Sequence, residues 1–325
     1  LSAYIEGNVG IDGGRGFVGL GNTAEGDAEY QYLWKNGSIQ DNIVSDVQRE
    51  GECHFALCGG ENYTISGNKL ARVGRPSGDE DGNEPIYTKA THSIIEGNSF
   101  DHCGSHLIML KGQDKGADNP DKSSPYGYGN IVRGNMAWGE GGTLCKPYTG
   151  DLLIEGNTAE GLDSLVSGGS NVAPIVVRNN MGTGLLRGGM TITGRAAHSV
   201  RGNVIHLAEN PETIQTGITY RGDADGPARN ASIVGNEIYG AGVLHSSSRG
   251  ISLYCGSDLH YEIDGLLISN NRVRHLPYGI WSKGSGLPTF VGDGAWVRDN
   301  WLGPISSGIK DDPLTVCKGN RDSGA

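Results

Sequence analysis

The chain has 325 residues, 55 of them glycine, with 36% hydrophobic residues and a formal net charge of −11 at pH 7. Glycine stands far above the usual ~7% and follows no collagen period, which marks a chain with many tight turns. The acidic balance argues against a nucleic-acid partner, and no apolar run approaches the ~18 residues of a membrane span.

From the start of the chain a β run closes on Gly-Asn again and again. Ile5-Glu6-Gly7-Asn8 is followed by Ile65-Ser66-Gly67-Asn68, Ile95-Glu96-Gly97-Asn98, Val132-Arg133-Gly134-Asn135 and Ile154-Glu155-Gly156-Asn157. Val177-Arg178-Asn179-Asn180, Val200-Arg201-Gly202-Asn203, Ile233-Val234-Gly235-Asn236, Ile268-Ser269-Asn270-Asn271 and Val297-Arg298-Asp299-Asn300 continue the series. Gly and Asn enter φ > 0 cheaply, so each pair reads as a strand followed by a sharp turn. Asn135, Asn157, Asn180 and Asn203 are 22, 23 and 23 residues apart, room for three short strands and no helix. The 37 residues from Asn98 to Asn135 then imply an insertion at one turn.

Stacked coils of this kind predict an all-β, right-handed parallel β-helix of about ten to thirteen coils, in which the repeated Asn forms an internal ladder. One domain over residues 1–325 is expected. The sequence starts inside a repeat, which reads as a β-helix without its N-terminal cap coil. Cysteines 53, 58, 103, 145, 255 and 317 are too scattered for a disulfide scaffold; Cys53 and Cys58 either bridge or pack as small apolar residues. Asn36-Gly37-Ser38, Asn62-Tyr63-Thr64 and Asn230-Ala231-Ser232 fit the glycosylation pattern, which matters only in a eukaryotic secreted protein.

Aligned on the Gly-Asn turns, basic residues fall at the ends of β runs: Lys89, Lys111 and Lys146, then Arg195, Arg221 and Lys283. Equivalent positions in a parallel helix stack about 4.8 Å apart, and like charges at that spacing repel unless anions lie over them. The functional reading is a groove for an acidic polysaccharide; the alternative is solvated charges at strand ends. Tyr126, Tyr128, Trp138 and Tyr148 are aromatics fit to stack on sugar rings or to pack at coil edges. Acids gather nearby at Glu50 and Glu52 and in Asp79-Glu80-Asp81-Gly82-Asn83-Glu84, an oxygen-rich set that suits calcium or simply a solvated loop. Asp223-Ala224-Asp225-Gly226 is a weaker second set.

The stretch Glu84-Pro85-Ile86-Tyr87-Thr88-Lys89-Ala90, with Ile95, Asn98, Ser99 and Phe100, resembles the catalytic coil of polysaccharide lyase family six. Cys103-Gly104 leading into Leu107-Ile108-Met109-Leu110-Lys111-Gly112 resembles the next coil of that family, which includes alginate lyases and chondroitinase B. The resemblance covers about a fifth of the chain. It implies β-elimination of a uronate-containing glycan, with Lys89 as general base and Lys111, in the place of the family's arginine, beside the leaving oxygen. It further implies calcium held by Glu84 with Glu80, Asp81 and Glu52, neutralising the substrate carboxylate. Lys146, Arg195, His102, His106, Tyr126, Tyr128 and Tyr148 would line the substrate, with His102 or His106 a substitute proton donor. The family's Arg-His-Gly tripeptide is absent, and Lys111 lacks the guanidinium fork.

Pectin-type hydrolase motifs are missing, and Phe100-Asp101-His102-Cys103 lacks the proline of an epimerase Asp-Pro-His motif. The rival from another class is a non-catalytic carbohydrate-binding or structural β-helix, such as a tailspike segment or a surface fibre. Either reading places the protein outside the cell, on its surface or in the periplasm, and both are compatible with an oligomer.

Overall fold

The computed structural model describes residues 4–11, 16–20, 35–47, 54–74, 84–112, 127–169, 173–221, 228–253, 262–282, 289–290, 294–303, 305–310, 315–318 and 320–322. The expectations for Glu50, Glu52, Cys53, the run Asp79 to Asn83 with Glu80 and Asp81, Tyr126, the Asp223 set, Cys255 and Lys283 lie outside these residues. The chain divides into two compact units, Leu1–Leu162 and Asp163–Ala325.

In the first unit three parallel sheets are filled in rotation, one strand to each per coil. The first sheet holds Tyr4–Glu6, Ser38–Gln40, Thr64–Ser66, Ile94–Glu96, Ile131–Arg133 and Leu152–Glu155. The second holds Val9–Ile11, Ile43–Val47, Lys69–Val73, Ser99–Asp101, Met136–Trp138 and Thr158–Glu160. The third holds Gly16–Leu20, His54–Cys58, Ile86–Thr88, His106–Lys111 and Thr143–Tyr148. This is the right-handed parallel β-helix that the repeat predicts.

The Gly-Asn pair makes the corner between first and second sheets. Gly97 and Gly134 sit at φ of 62° and 61°, and their N–H groups donate to Arg133 and Glu155 in the following coil. The Asn that follows turns inward and is buried. Asn8, Asn42, Asn68, Asn98, Asn135 and Asn157 form a side-chain ladder in which each Nδ2 donates to the next Oδ1 at 2.8–3.0 Å. Each Oδ1 that receives this bond also accepts the backbone N–H of the preceding Asn. Asn42 is a rung the Gly-Asn pattern does not mark, because Asp41, at φ 53°, holds the corner.

Inside the coil, like residues stack on like. Ile39, Ile65, Ile95, Val132 and Ile154 are consecutive partners in the first sheet and are fully buried. Leu70, Phe100, Ala137 and Ala159 do the same in the second, and Ile86, Ile108 and Cys145 in the third. Cys58, Cys103 and Cys145 are free buried thiols, so Cys58 packs rather than bridges.

The second unit repeats the plan. Its ladder runs Asn180, Asn203, Asn236, Asn271, Asn300, Asn320 with Nδ2–Oδ1 distances of 2.9–3.0 Å. Asn179, Asn270 and Asp299 replace Gly at the corner, each at φ 55°. Its second sheet comprises Met181–Leu185, Val204–Leu207, Glu237–Tyr239, Arg272–Arg274, Trp301–Leu302 and Arg321–Asp322. Its third comprises Ser164–Gly169, Gly188–Thr193, Thr216–Arg221, Arg249–Leu253, Leu276–Trp281 and Ile305–Lys310. Among the described residues no helix is long and apolar enough to cross a membrane.

Candidate functional site

The third sheet of the first unit carries four of the residues that the sequence marks, His106, Lys111, Lys146 and Tyr148. In the strands His106–Lys111 and Thr143–Tyr148, Leu107 to Lys111 and Thr143 to Cys145 are buried. Strand alternation puts Ile108, Leu110, Cys145 and Pro147 on one face and Met109, Lys111, Lys146 and Tyr148 on the other, where Met109 is fully covered. Lys146 Nζ lies 2.7 Å from His106 Nε2.

Register decides which of these side chains meet. Ile108 pairs with Ile86 and Cys145, Met109 with Tyr87 and Lys146, and Lys111 with Tyr148. Lys89 follows Thr88, the partner of Leu110, and so stands beside Lys111; its N–H donates to Cys58 O at 2.8 Å. By extension of that register Lys89 falls at the level of Lys111. Lys146 does not: it lies one outward position earlier, level with Met109, and an aromatic takes its place in the row. The insertion between Lys111 and Asn135 hides this two-residue stagger when coils are aligned on their turns.

The stagger builds a compact cluster. Lys111 Nζ lies 4.9 Å and Lys146 Nζ 5.6 Å from the centroid of the Tyr148 ring. Lys111 is only 7% exposed, whereas Lys146, Tyr148 and His106 are half-buried. A ring face attracts cations through its quadrupole, by about 0.5–2 kcal/mol depending on desolvation, and so holds two ammonium groups near each other. The Lys146–His106 contact is a hydrogen bond in which one nitrogen donates and the other accepts.

Other sequence-marked residues fall elsewhere. His102 sits at φ 48° in the turn after Ser99–Asp101, exposed, and its Nδ1 lies 2.6 Å from Asp101 Oδ1. Tyr128 is half-buried in the turn at 127–129, where its carbonyl accepts from His92 N–H at 2.7 Å. Trp138 is 39% exposed on the second sheet, paired in register with Asp101 and Glu160. Arg195 belongs to the second unit, two residues beyond Gly188–Thr193, while Arg221 pairs in register with Thr193. Arg195 and Arg221 are therefore not one ladder position.

Of the calcium ligands implied by the lyase resemblance, Glu84 alone is described, and it is fully buried. Among the described residues no three His, Cys, Asp or Glu side chains gather in a way that would hold a metal ion. Glu52, Glu80 and Asp81, the other implied ligands, lie outside the described residues. A shallow surface groove on the first sheet is lined by Glu96, Arg133 and Glu155 with their corner glycines, and Arg133 pairs with Glu96 at 2.7 Å.

No family model matches this sequence, and neither does any curated protein. Solved structures do match in shape. A mutant tailspike protein of the E. coli bacteriophage HK620, in complex with a pentasaccharide, superposes with a TM-score of 0.64 at 12% identity, over 88% of this chain and 51% of that one. The catalytic domain of a GH87 alpha-1,3-glucanase in complex with nigerose gives 0.58 at 13% identity, over 89% of this chain and 57% of the other. At these identities the likeness is one of fold, the parallel β-helix. The chain spans about half the length of these neighbours.

Proposed function

We propose that this protein is a carbohydrate-active β-helix that holds an acidic, uronate-containing polysaccharide against the outer face of the third sheet of its first unit and cleaves it by β-elimination. The observation that carries the reading is the convergence of Lys111 and Lys146 on the ring of Tyr148, with His106 bonded to Lys146. Two cations and a ring on one outward sheet face suit a ligand that carries both carboxylates and flat sugar rings. The tailspike and glucanase neighbours, each in complex with an oligosaccharide, support a glycan on this fold.

The chemistry follows from the charges. The proton at C5 of a uronate is too weakly acidic to leave until its carboxylate charge is offset, and ammonium groups beside the carboxylate stabilise the developing enolate. A base then removes the C5 proton, the C4–O bond breaks with its electron pair on oxygen, and a C4=C5 double bond remains. The departing oxygen takes up a proton. His106, hydrogen-bonded to Lys146, is the proton donor for the departing oxygen in this reading. Lys89, beside Lys111, is the base that the lyase resemblance implies, and Lys111 then stands by the carboxylate or the leaving oxygen.

The test is ultraviolet absorbance of unsaturated uronate ends after incubation with alginate, chondroitin or pectate, with calcium and with a chelator. The expected result is a rise that Lys89→Ala or Lys146→Met abolishes. Silence with retained binding to these polymers removes the elimination and leaves the carbohydrate-binding reading. Silence without binding removes both.

A further inference from the structure

The second unit carries another cluster, on a different sheet, that none of the residues considered above belongs to. On the outer face of its second sheet two ladders run side by side. One passes through Val204, Glu237, Arg272 and Trp301, the other through His206, Tyr239 and Arg274. Their side chains interlock. The Arg274 guanidinium stacks 3.9 Å from the Trp301 ring centroid and lies 5.8 Å from that of Tyr239. Exposed His206 packs edge-on against Tyr239 at 4.8 Å between centroids.

Charge is distributed unevenly across this surface. Glu237 Oε1 pairs with Arg272 at 3.0 Å, and Glu237 Oε2 accepts the Tyr239 hydroxyl at 2.6 Å. Both oxygens of the one carboxylate in the cluster are therefore engaged. Arg274 makes no ion pair among the described residues, and its buried Nε has no hydrogen-bond partner. A buried N–H left unbonded is unfavourable, so the aromatic stack holds this guanidinium at a cost in stability. A guanidinium held by its face keeps its N–H groups in a fixed planar fork, the geometry that matches a carboxylate with two parallel bonds.

We propose that Arg274, seated between Trp301 and Tyr239, is a carboxylate-binding site for a uronate residue, a second glycan site carried wholly by the second unit. Arg274 takes the sugar carboxylate, and the exposed His206 imidazole and the Arg272 guanidinium offer polar groups to the ring hydroxyls. The ligand class rests on the acidic-glycan reading above; the site does not, since it shares no residue with the Lys111–Tyr148 cluster.

Calorimetric titration of the full chain tests it, with a galacturonate tetramer as probe and neutral maltotetraose as control. The wild type, Arg274→Gln, Arg274→Lys and the double variant Lys111→Ala with Lys146→Ala are compared. In the double variant the galacturonate tetramer still binds, and adding Arg274→Gln weakens that remaining binding at least tenfold. Arg274→Lys, which keeps the charge but loses the fork, weakens it too, and serves alone if Arg274→Gln does not fold. Binding abolished by the double variant, or unchanged by either Arg274 substitution, overturns the proposal. So does equal binding of the neutral tetramer. If the double variant binds like wild type while Arg274→Gln abolishes binding, the first-unit site fails and this one stands.

Discussion

Replacing Asn135 by alanine removes four side-chain hydrogen bonds from the middle of the first ladder. Its Oδ1 accepts from the backbone N–H of Asn98 and from Asn98 Nδ2, both at 3.0 Å. Its Nδ2 donates to Ile95 O and to Asn157 Oδ1, both at 2.9 Å. In Asn135→Ala the Asn157 oxygen keeps the backbone N–H of residue 135, but two donors of Asn98 and the Ile95 carbonyl each lose a bond. At about 1–3 kcal/mol for each buried group left short, and with water able to enter the vacated space, the cost is about 3–5 kcal/mol. Asn8 is the control. It is exposed and only donates into the ladder, and Asn42 Oδ1 retains the Asn8 backbone N–H after substitution, so Asn8→Ala costs under ~1 kcal/mol. Urea unfolding followed by circular dichroism reads both, compared by midpoint because a stack of coils need not unfold in one step. If Asn135→Ala unfolds within ~1 kcal/mol of wild type, or Asn8→Ala costs as much, the ladder is not what holds the coils together.

Gly142, at φ 82°, leaves a Cβ only 2.2 Å from the Ser105 carbonyl, whereas at Gly134, φ 61°, nothing lies within 4 Å. Gly142→Ala should therefore destabilise well beyond the ~1–2 kcal/mol backbone cost expected of Gly134→Ala, as the two melting midpoints will tell. Burial pushes the Cys58 and Cys103 thiols up to about 12 and that of Cys145 higher still. The unfolded chain thus loses these protons first, and stability present below pH ~9 falls as pH rises toward the folded values, by up to ~1.4 kcal/mol per unit for each thiol. Urea midpoints on either side of pH 9 check the sign, and Cys145→Ala should flatten the slope. Binding of alginate or pectate should weaken steeply with added salt, and Lys146→Ala should reduce both the affinity and that salt dependence. An affinity indifferent to salt would contradict the charge-based reading of the third-sheet face. Arg133→Ala should leave stability within ~0.5 kcal/mol of wild type, because its pair with Glu96 is largely exposed.

The architecture was legible because one backbone requirement recurs once per coil and only a few residues meet it. Where another residue met it, the signal failed: Asp41 at the corner concealed the rung Asn42. Asn320 was missed although Lys318-Gly319-Asn320 carries the pair, since the β run before it holds Cys and Lys in place of the usual aliphatic pattern. The site was legible in composition and not in register. Lys89, Lys111, Lys146, His106 and Tyr148 were all marked, but the contact of Lys146 with His106 spans 40 residues and depends on the register of two coils. The platform of Tyr239, Arg274 and Trp301 left no trace in the sequence. Its members come from three successive coils, and each looks like an isolated surface residue.

The stagger at Tyr148 keeps a third lysine out of the row that Lys89 and Lys111 begin. Had Lys146 followed Lys111 in register, two ammonium groups about 4.8 Å apart would repel by about 1 kcal/mol in water and several times that where partly desolvated. Moving the second lysine by one outward position places an aromatic ring between the two levels, and each ammonium then gains roughly what the direct stack would have lost. The second unit meets the same demand differently. Arg272 pairs with Glu237, and Arg274 stacks on Trp301 and lies near Tyr239, while Arg272 reaches the same Trp301 ring at 5.7 Å. In both units aromatic rings lie beside the cations of a sheet face. Cations set beside aromatic rings suit the proposed ligand, a polymer that carries carboxylates on its sugar rings.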